Sequence, residues 1–223
     1  LNPQQRAAVE HSGSPLLIVA GAGSGKTAVL TRRIAYLLRM RGVAPGQILA
    51  ITFTNKAAAE MRDRVIDLVG PTATRMWVAT FHSACVRILR EQAHLLPGLN
   101  TNFTIYDADD SKRLLGMIAK DLQINAQKFP PRLLAAAISA LKTELTDPDA
   151  ASDEAAATRN PFDRTIAEVY TEYQRRLRAA NALDFDDLIG ETVRVFTTHP
   201  EIAAYYRKRF RHVLIDEYQD TNH

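Results

Sequence analysis

The sequence predicts an α/β fold, in which a parallel sheet covered by helices is interrupted by a mostly α-helical insertion. Short apolar runs alternate with helical patterns over the first 90 residues, and one more such run returns near the end, after a long stretch of helical periodicity. Strands that alternate with helices are typical of βαβ units, whose strands run parallel. We therefore predict a discontinuous core formed by residues 1–88 and 208–223, with the insertion at 89–207.

In the predicted core, short apolar runs indicate strands, and the residues that follow a run indicate a turn and a helix. The predicted strands are Leu16–Ala20, Ile48–Phe53, Met76–Thr80 and His212–Asp216. A glycine-rich turn leads from the first strand into a helix that ends near Arg41. A second helix starts at Thr54 or Asn55, either of which can cap it, and ends near Leu68, before a Gly-Pro pair.

The insertion is predicted to be helical because apolar residues recur in it at helical spacing. The predicted helices are Asp107–Leu122, Pro131–Leu145, Phe162–Arg178, Asp184–Phe196 and Pro200–Arg207. In the third of these, Ile166, Tyr170, Tyr173 and Leu177 form one apolar stripe on a polar helix. Residues 146–161 are small and polar with a proline near each end, which predicts a loop.

Composition and charge narrow the function classes. The 223 residues are 46% hydrophobic and 24% charged, which argues against a disordered or fibrous chain. No apolar run approaches the roughly 18–20 residues of a membrane span. The net charge of +3 hides a split, because residues 1–90 carry 12 Lys and Arg against 4 Asp and Glu, whereas residues 91–205 carry 12 against 18. Basic surface suits a polyphosphate or a nucleic acid, although arginines of this kind also form the solvated faces of helices.

Cysteine and histidine usage points away from disulfide, thiol and metal chemistry. Cys85 is the one cysteine, so an internal disulfide is excluded. No Asn, Asp or His constellation marks it as a nucleophile, and we expect it to be a small buried apolar side chain. The six histidines show no metal-ligand spacing.

A glycine-rich loop between a predicted strand and a predicted helix is the first candidate site. It consists of Ala20, Gly21, Ala22, Gly23, Ser24, Gly25, Lys26 and Thr27. Glycines allow backbone N–H groups to turn toward phosphates, and the helix N-terminus adds partial positive charge. Lys26 would reach the β- and γ-phosphates, and the Thr27 hydroxyl would bind Mg²⁺. A dinucleotide fingerprint would need glycine at position 26, so the loop favours a nucleoside triphosphate.

A second half of the same site is predicted where the last strand ends in two adjacent carboxylates. Asp216 would hold the metal, and Glu217 would orient and deprotonate the attacking water. Asp216 must then lie near Thr27, although most of the chain separates them. This requirement supports the predicted insertion, and the two motifs together predict hydrolysis of a nucleoside triphosphate by a P-loop NTPase.

Six ordered segments carry a resemblance to a known family. They are Leu1–Val9, Gly21–Thr27, Thr52–Ala58, Trp77–His82, Asp184–Leu188 and Asp216–Asn222. In this order they resemble the N-terminal third of a superfamily 1 DNA helicase of the UvrD/PcrA/Rep type. The resemblance spans the whole chain and implies a RecA-like core, incomplete in this sequence, with a helical insertion.

The resemblance also implies roles for individual residues. Gln5 would read adenine, which is chemically reasonable because an amide both donates to and accepts from a purine edge. Gln219 would couple the hydrolysis site to DNA occupancy. The residues implied to contact single-stranded DNA are Phe53, Thr54, Asn55, Lys56, Thr80, Phe81 and His82. Phenylalanines can stack on bases while the polar side chains meet phosphates, but Phe53 and Phe81 could equally be core residues at strand ends.

For the parent protein, the resemblance implies an ATP-driven helicase and translocase in DNA repair or replication restart, moving 3′ to 5′ on single strands. The implied cofactors are ATP and Mg²⁺. The implied partners are single-stranded DNA, single/double-strand junctions, repair proteins and a second motor domain of the same chain, with no membrane. The implied location is the bacterial cytoplasm, at the nucleoid. Because the sequence ends at His223, we expect this chain alone to have little ATPase activity and no unwinding activity.

Two alternatives remain open from the sequence. The chain could be the motor portion of an AddA/RecB-type helicase–nuclease, which a downstream nuclease domain would mark. It could also be a non-enzymatic module that binds DNA, nucleotide or a repair partner. Substitution of Lys26 and Glu217 separates a motor from such a module.

Overall fold

The computed structural model describes residues 1–21 and 23–221, and Ala22, Asn222 and His223 lie outside the described residues. The chain forms two compact units. The first comprises Leu1–Ala84 and Pro200–His223, and the second comprises Cys85–His199. The domain boundaries predicted from the sequence, after residues 88 and 207, remain a prediction.

The described residues form α-helices and short parallel strands. The helices are α1 (Pro3–Glu10), α2 (Lys26–Arg39), α3 (Asn55–Val69), α4 (Phe81–Glu91), α5 (Ala108–Asp121), α6 (Pro131–Thr143), α7 (Pro148–Thr158), α8 (Pro161–Ala179), α9 (Phe185–Thr198) and α10 (Pro200–Arg209). The strands are β1 (Ile48–Thr52), β2 (Trp77–Thr80), β3 (Thr104–Tyr106), β4 (Ala182–Asp184) and β5 (His212–Ile215). This is the mixed α/β fold with a parallel sheet that the sequence predicts.

The first unit is built on a three-stranded parallel sheet in the order β2-β1-β5. The register pairs Leu49 with Trp77 and Val213, so all three strands start at one edge of the sheet and end at the other. One face carries Ile48, Ala50, Val78 and Leu214, which pack with buried side chains of α2 and α3. On β2, Trp77 packs edge-on against Phe210, with 4.9 Å between ring centroids.

The predicted strand at Leu16–Ala20 is wrong, because this segment is not a strand in the structure. Leu17 and Val19 are 68% and 87% exposed. In the part of the chain that the structure describes, β5 pairs with β1 alone, and no backbone hydrogen bond joins Leu16–Ala20 to any strand. Apolar β-branched residues favour burial in a sheet, but a strand forms only where a neighbour supplies ladder hydrogen bonds.

The second unit packs its helices around α8. Val169, Tyr173 and Leu177 of α8 are almost completely buried and contact apolar residues of α5, α6 and α7. A two-stranded parallel sheet of β3 and β4, which the sequence analysis did not predict, also belongs to this unit. Each of its strands has only three residues, too few to show an alternating pattern.

The predicted loop at residues 146–161 is also wrong, because α7 occupies most of it. Asp147 caps this helix by accepting a hydrogen bond from the Ala150 N–H, and Pro148 occupies its first turn. Ala151 and Ala155 are buried in the core of the unit. Alanine has the highest helix propensity, so a run of small residues with a good N-cap forms a helix once one face is covered.

Within the described residues, no helix combines the length and the apolar character that crossing a bilayer requires. The longest, α8, carries acidic and basic side chains along its whole length.

Candidate nucleotide site and adjoining strand ends

The glycine-rich loop leads directly into α2. Gly23 and Gly25 have φ angles of +74° and +82°, a left-handed conformation that side chains with a Cβ rarely adopt. Gly25 is the N-cap of α2 and Lys26 is its first residue, so the loop meets the positive end of the helix dipole. Ala20, Gly21 and Ser24 are exposed beside them, whereas the predicted loop residue Ala22 lies outside the described residues.

The ammonium group of Lys26 lies within this loop. Its Nζ atom donates to the Ala20 carbonyl oxygen at 2.9 Å and lies 3.5 Å from that of Gly21. The carbonyl groups therefore hold the cation close to where the glycines expose backbone N–H groups. A cation, a glycine-rich turn and a helix N-terminus together suit a phosphate group.

Thr27 and Asp216 meet across the unit, as the sequence analysis requires. The Thr27 hydroxyl donates to Asp216 Oδ2 at 3.3 Å, although 189 positions separate the residues. Asp216 directly follows β5, and its N–H extends the ladder by donating to the Ile51 carbonyl at 2.9 Å. A hydroxyl and a carboxylate are hard oxygen ligands, and Mg²⁺ usually takes one or two such protein ligands plus water and phosphate oxygens. These residues therefore fit Mg²⁺.

Glu217 adopts the left-handed conformation, with φ of +53° and ψ of +46°. Its backbone N–H donates to Asp216 Oδ1 at 3.1 Å, which holds the Asp216 carboxylate against this turn. Gln219 Nε2 donates to Glu217 Oε2. The structure thus places Gln219 in direct contact with the predicted catalytic carboxylate.

Gln5 reaches the same loop from α1. Its side-chain nitrogen donates to the Ser24 carbonyl oxygen at 3.1 Å. Its side-chain oxygen accepts from the Asn2 N–H while Asn2 caps the helix, a reciprocal capping box that orients the Gln5 side chain. The sequence analysis did not predict α1, but Asn-Pro-Gln-Gln at its start is the signal that could have revealed it.

The predicted DNA-contacting residues lie at the carboxyl ends of β1 and β2. The rings of Phe53 and Phe81 pack edge-on with 5.8 Å between centroids. Phe53 is 40% exposed, so it is not a core residue, and Phe81 is half-buried. The exposed polar members of the set are Thr54, Asn55, Lys56 and His82.

Two threonines of this set have structural roles. Thr54 Oγ1 accepts from the Ala57 N–H and caps α3. Thr80 is buried, and its hydroxyl both donates to Ser83 Oγ at 2.9 Å and accepts from the Ser83 N–H. Thr80 therefore positions the start of α4 and offers little surface to a ligand.

Cys85 is half-buried, and burial raises the pKa of its thiol. A raised pKa keeps the thiol protonated and unreactive, in keeping with the predicted apolar role. Among the described residues, no group of three or more His, Cys, Asp or Glu side chains could hold a metal ion.

A buried polar cluster in the second unit escaped the sequence analysis. Lys142 Nζ lies 2.7 Å from Asp184 Oδ2 and 2.9 Å from Asp187 Oδ1. Tyr173 donates to Asp184, and Gln174 donates to Asp187. The Asp184–Leu188 segment of the family resemblance thus anchors α9 inside this unit. A lysine on the apolar side of α6 is the signal that could have indicated such a cluster.

The two carboxylates share one ammonium group, and their pKa values move apart. Burial opposes ionisation of Asp184, but contact with Lys142 outweighs it and lowers the pKa of Asp184. Burial raises the pKa of Asp187 to about 6, with a further contribution from the Asp184 charge. The second carboxylate therefore holds its proton to a higher pH than the first.

Comparison with known proteins shows the family to which the chain is similar. A family model described as "UvrD/REP helicase N-terminal domain" matches residues 1–223. The chain is 70% identical over 223 residues to a protein named ATP-dependent DNA helicase UvrD1 from Mycobacterium tuberculosis. It is 47% identical over 222 residues to one named ATP-dependent DNA helicase PcrA from Bacillus subtilis. All of this chain is covered in both comparisons, but it spans only 29% and 30% of the lengths of those relatives.

Proposed function

Because the chain belongs to the UvrD/REP helicase N-terminal domain family, we propose that the protein containing it is an ATP-dependent DNA helicase. In this proposal the chain binds ATP with Mg²⁺ and contacts single-stranded DNA. The observation that carries the proposal is the 3.3 Å contact between Thr27 and Asp216 beside Lys26. This contact joins the two motifs that the proposal assigns to ATP hydrolysis, and the relatives named as ATP-dependent DNA helicases support the choice of substrate.

Each side chain has one task in the proposed hydrolysis. Lys26 exchanges the carbonyl oxygens of its own loop for phosphate oxygens, which neutralises charge that develops on the phosphoryl group. Thr27 and Asp216 would hold Mg²⁺, which would supply further charge neutralisation. Glu217 orients the attacking water and accepts its proton.

Two glutamines connect this chemistry to its surroundings. Gln5 is oriented by its capping box and by its bond to Ser24, and its second side-chain N–H and the second lone pair of its oxygen would read the adenine edge. Gln219 contacts Glu217, so a shift of the Tyr218–Asp220 turn would change the position of the Glu217 carboxylate, the proposed general base. This contact is a direct route by which DNA occupancy can change the hydrolysis rate.

The proposed DNA contacts use the exposed strand ends. Phe53 and Phe81 offer aromatic faces for base stacking, and Asn55, Lys56 and His82 offer polar groups to phosphates. The proposal extends to 3′ to 5′ movement, single/double-strand junctions, roles in repair or replication restart, and a second motor domain in the same protein. A location in the bacterial cytoplasm, at the nucleoid, follows from such a substrate.

The test is DNA-stimulated ATP turnover by the full-length protein. Glu217→Gln removes the proposed general base and should lower ATP turnover about 10²–10⁴-fold while ATP still binds. Lys26→Ala should weaken both ATP binding and turnover, because the cation next to the phosphates is lost. The matched controls are Glu154→Gln and Lys120→Ala, which change exposed residues of the second unit. Turnover at control rates in both site variants would refute the assigned site.

A further inference from the structure

Helix α1 carries Gln5, the residue proposed to read adenine, yet apolar packing holds this helix only weakly. Of its described residues, Val9 is the only buried one. Polar contacts join it to the rest of the first unit near both of its ends. Near the start, the Gln5 amide donates to the Ser24 carbonyl oxygen, and near the end, Arg33 of α2 donates to backbone carbonyls. These contacts therefore contribute strongly to where Gln5 lies.

Arg33 supplies a cation at the C-terminus of α1. Its Nη1 atom donates to the carbonyl oxygens of Ala8, Val9 and His11 at 2.9, 3.1 and 2.8 Å. Ala8 and Val9 belong to the last turn of the helix, where carbonyl groups lack partners within the helix and form the negative end of its dipole. The sequence of this last turn contains no basic residue of its own. A side chain of α2 thus caps α1.

The contact is a committed one for Arg33. The side chain is half-buried, and burial lowers the pKa of its guanidinium group. In residues 1–21 and 23–221, Arg33 lies in no ion pair with a carboxylate. Because a partly buried cation needs hydrogen-bond acceptors, the carbonyl oxygens of α1 take the place of a counter-charge.

The two contacts hold α1 along the first part of α2. Gln5 lies beside Ser24, just before α2 begins at Lys26, whereas the anchored carbonyl groups lie beside Arg33, about 10 Å further along α2. Only about 6 Å of helix separates Gln5 from Val9. A displacement of the C-terminus of α1 would therefore tilt the short helix and move Gln5 relative to the loop.

The position of α1 matters because it fixes which way the Gln5 amide points. The amide oxygen accepts from the Asn2 N–H at 3.0 Å, and the amide nitrogen donates to the Ser24 carbonyl oxygen at 3.1 Å. An inverted amide would face an N–H group with its nitrogen and a carbonyl oxygen with its oxygen. An amide fixed in one sense matches adenine, which presents a donor at N6 beside the acceptor N7. It does not match guanine, in which O6 and N7 both accept.

We propose that Arg33 is a positioning residue for nucleotide selectivity, which anchors the C-terminus of α1 to α2 and so holds Gln5 where it accepts adenine and rejects guanine. The proposal rests on the proposed function, which assigns Gln5 to adenine. Arg33 need not touch the nucleotide, because its effect passes along α1 from the anchored carbonyl groups to Gln5.

The test measures ATP and GTP hydrolysis by the full-length Arg33→Met protein, which keeps an apolar stem and loses the donors. The purine lies away from the reacting phosphate, so a misplaced Gln5 weakens binding of substrate and transition state equally. KM for ATP should rise about 3–10-fold, the contribution of roughly one hydrogen bond, while kcat and the KM for GTP stay unchanged. The matched control is Arg32→Met, at the exposed neighbouring position of α2, which should keep both KM values.

A double-mutant cycle with Gln5→Ala shows whether Arg33 acts through Gln5. If it does, Arg33→Met should not raise the KM for ATP any further in the Gln5→Ala background. Additive increases in KM would overturn the proposal, as would an equal rise in the KM for GTP or a fall in kcat with KM unchanged. Each of these results would assign Arg33 a direct or purely structural role.

A second variant, Arg33→Gln, covers the case in which Arg33→Met does not fold. It is neutral but still polar, and it should raise the KM for ATP in the same direction. An unchanged KM in Arg33→Gln with the urea-unfolding midpoint of the unchanged protein overturns the proposal.

Failure of the proposed function gives a different result. If Gln5→Ala alone leaves the KM for ATP unchanged, the assignment of Gln5 to adenine is refuted, and the role of Arg33 with it. If Gln5→Ala raises this KM but Arg33→Met does not, only the role of Arg33 is refuted. The hydrolysis site itself is tested separately, by turnover in the Lys26→Ala and Glu217→Gln variants.

Discussion

At the scale of single residues, Lys142 is the side chain whose environment is most unusual. Its side chain is only 4% exposed and contacts two carboxylates. Removal of one partner from a buried ion pair leaves the others as uncompensated charges. The Lys142 ammonium group therefore holds α6 to the start of α9 inside the second unit.

We expect Lys142→Met to destabilise the second unit by about 3–5 kcal/mol, because Asp184 and Asp187 lose their shared cation. Urea unfolding followed by circular dichroism measures the change. The control is Lys112→Met, which breaks a 3.5 Å surface pair with Asp109 and should leave stability almost unchanged. Equal stability of the two variants would mean that the buried cluster contributes nothing to the fold.

The pKa of Asp187 predicts an unusual dependence of stability on pH. Its pKa is raised from 3.8 to about 6 in the folded chain. Between these values the folded state binds more protons than the unfolded state, so this group's contribution to stability falls as pH rises. Asp187→Asn should remove that contribution, whereas Asp186→Asn should retain it. Urea unfolding of both variants across this pH range is the measurement, and parallel pH profiles would contradict the assignment.

At the scale of elements, the segment Leu16–Ala20 and helix α7 show where sequence patterns mislead. An apolar run predicts burial, yet Leu16–Ala20 has no neighbouring strand and is largely exposed. A small polar run predicts a loop, yet α7 forms because Asp147 caps it and two alanines pack in the core. The first segment lacks a partner strand, whereas α7 follows from its own cap and from the helix propensity of alanine once one face is covered.

The cap of α7 can be tested alone. Asp147→Ala removes the acceptor for the Ala150 N–H and should cost about 1 kcal/mol. Asp153→Ala, at an exposed position within the same helix, should cost nothing or stabilise, because alanine is the better helix former. Amide hydrogen exchange across α7 measures both changes. Equal protection in both variants would show that the cap does not hold this helix.

Most other elements follow from local signals. Helices α2, α3, α5, α6, α8, α9 and α10 and strands β1, β2 and β5 lie where they are predicted, within about two residues at each end. Their caps and apolar stripes are encoded within a few neighbouring positions. Strands β3 and β4 were missed because three-residue strands depend on pairing across the chain, here Tyr106 with Asp184.

At the scale of the whole molecule, the chain has two separate hydrophobic cores. One lies between the three-stranded sheet and α2 and α3, and the other surrounds α8. The basic residues concentrate in the part of the sequence that forms the first core, and the acidic excess lies in the second. We therefore expect a mutation in one core to lower the stability of its own unit and to leave that of the other unit unchanged.

Trp77, the only tryptophan, allows unfolding of the first unit to be followed separately from that of the second. Trp77 lies in the first unit, where it packs against Phe210 and beneath the Arg209 guanidinium. In the Lys142→Met variant, we expect the unfolding midpoint from circular dichroism to fall while the midpoint from Trp77 fluorescence stays in place. Coincident shifts of both signals would show instead that the two units unfold together.

The sequence by itself determined the chemistry of the candidate site, because its signals are local. The glycine-rich loop with Lys26 and Thr27 occupies eight consecutive positions, Ala20–Thr27. Asp216 and Glu217 directly follow one apolar strand. Only the tertiary structure decided which distant groups meet. Thr27 contacts Asp216 across 189 positions, and Lys142 contacts two carboxylates that lie more than forty positions away. The physical reason is that local patterns encode conformational preference, whereas long-range contacts depend on how the buried surfaces of separate elements fit together.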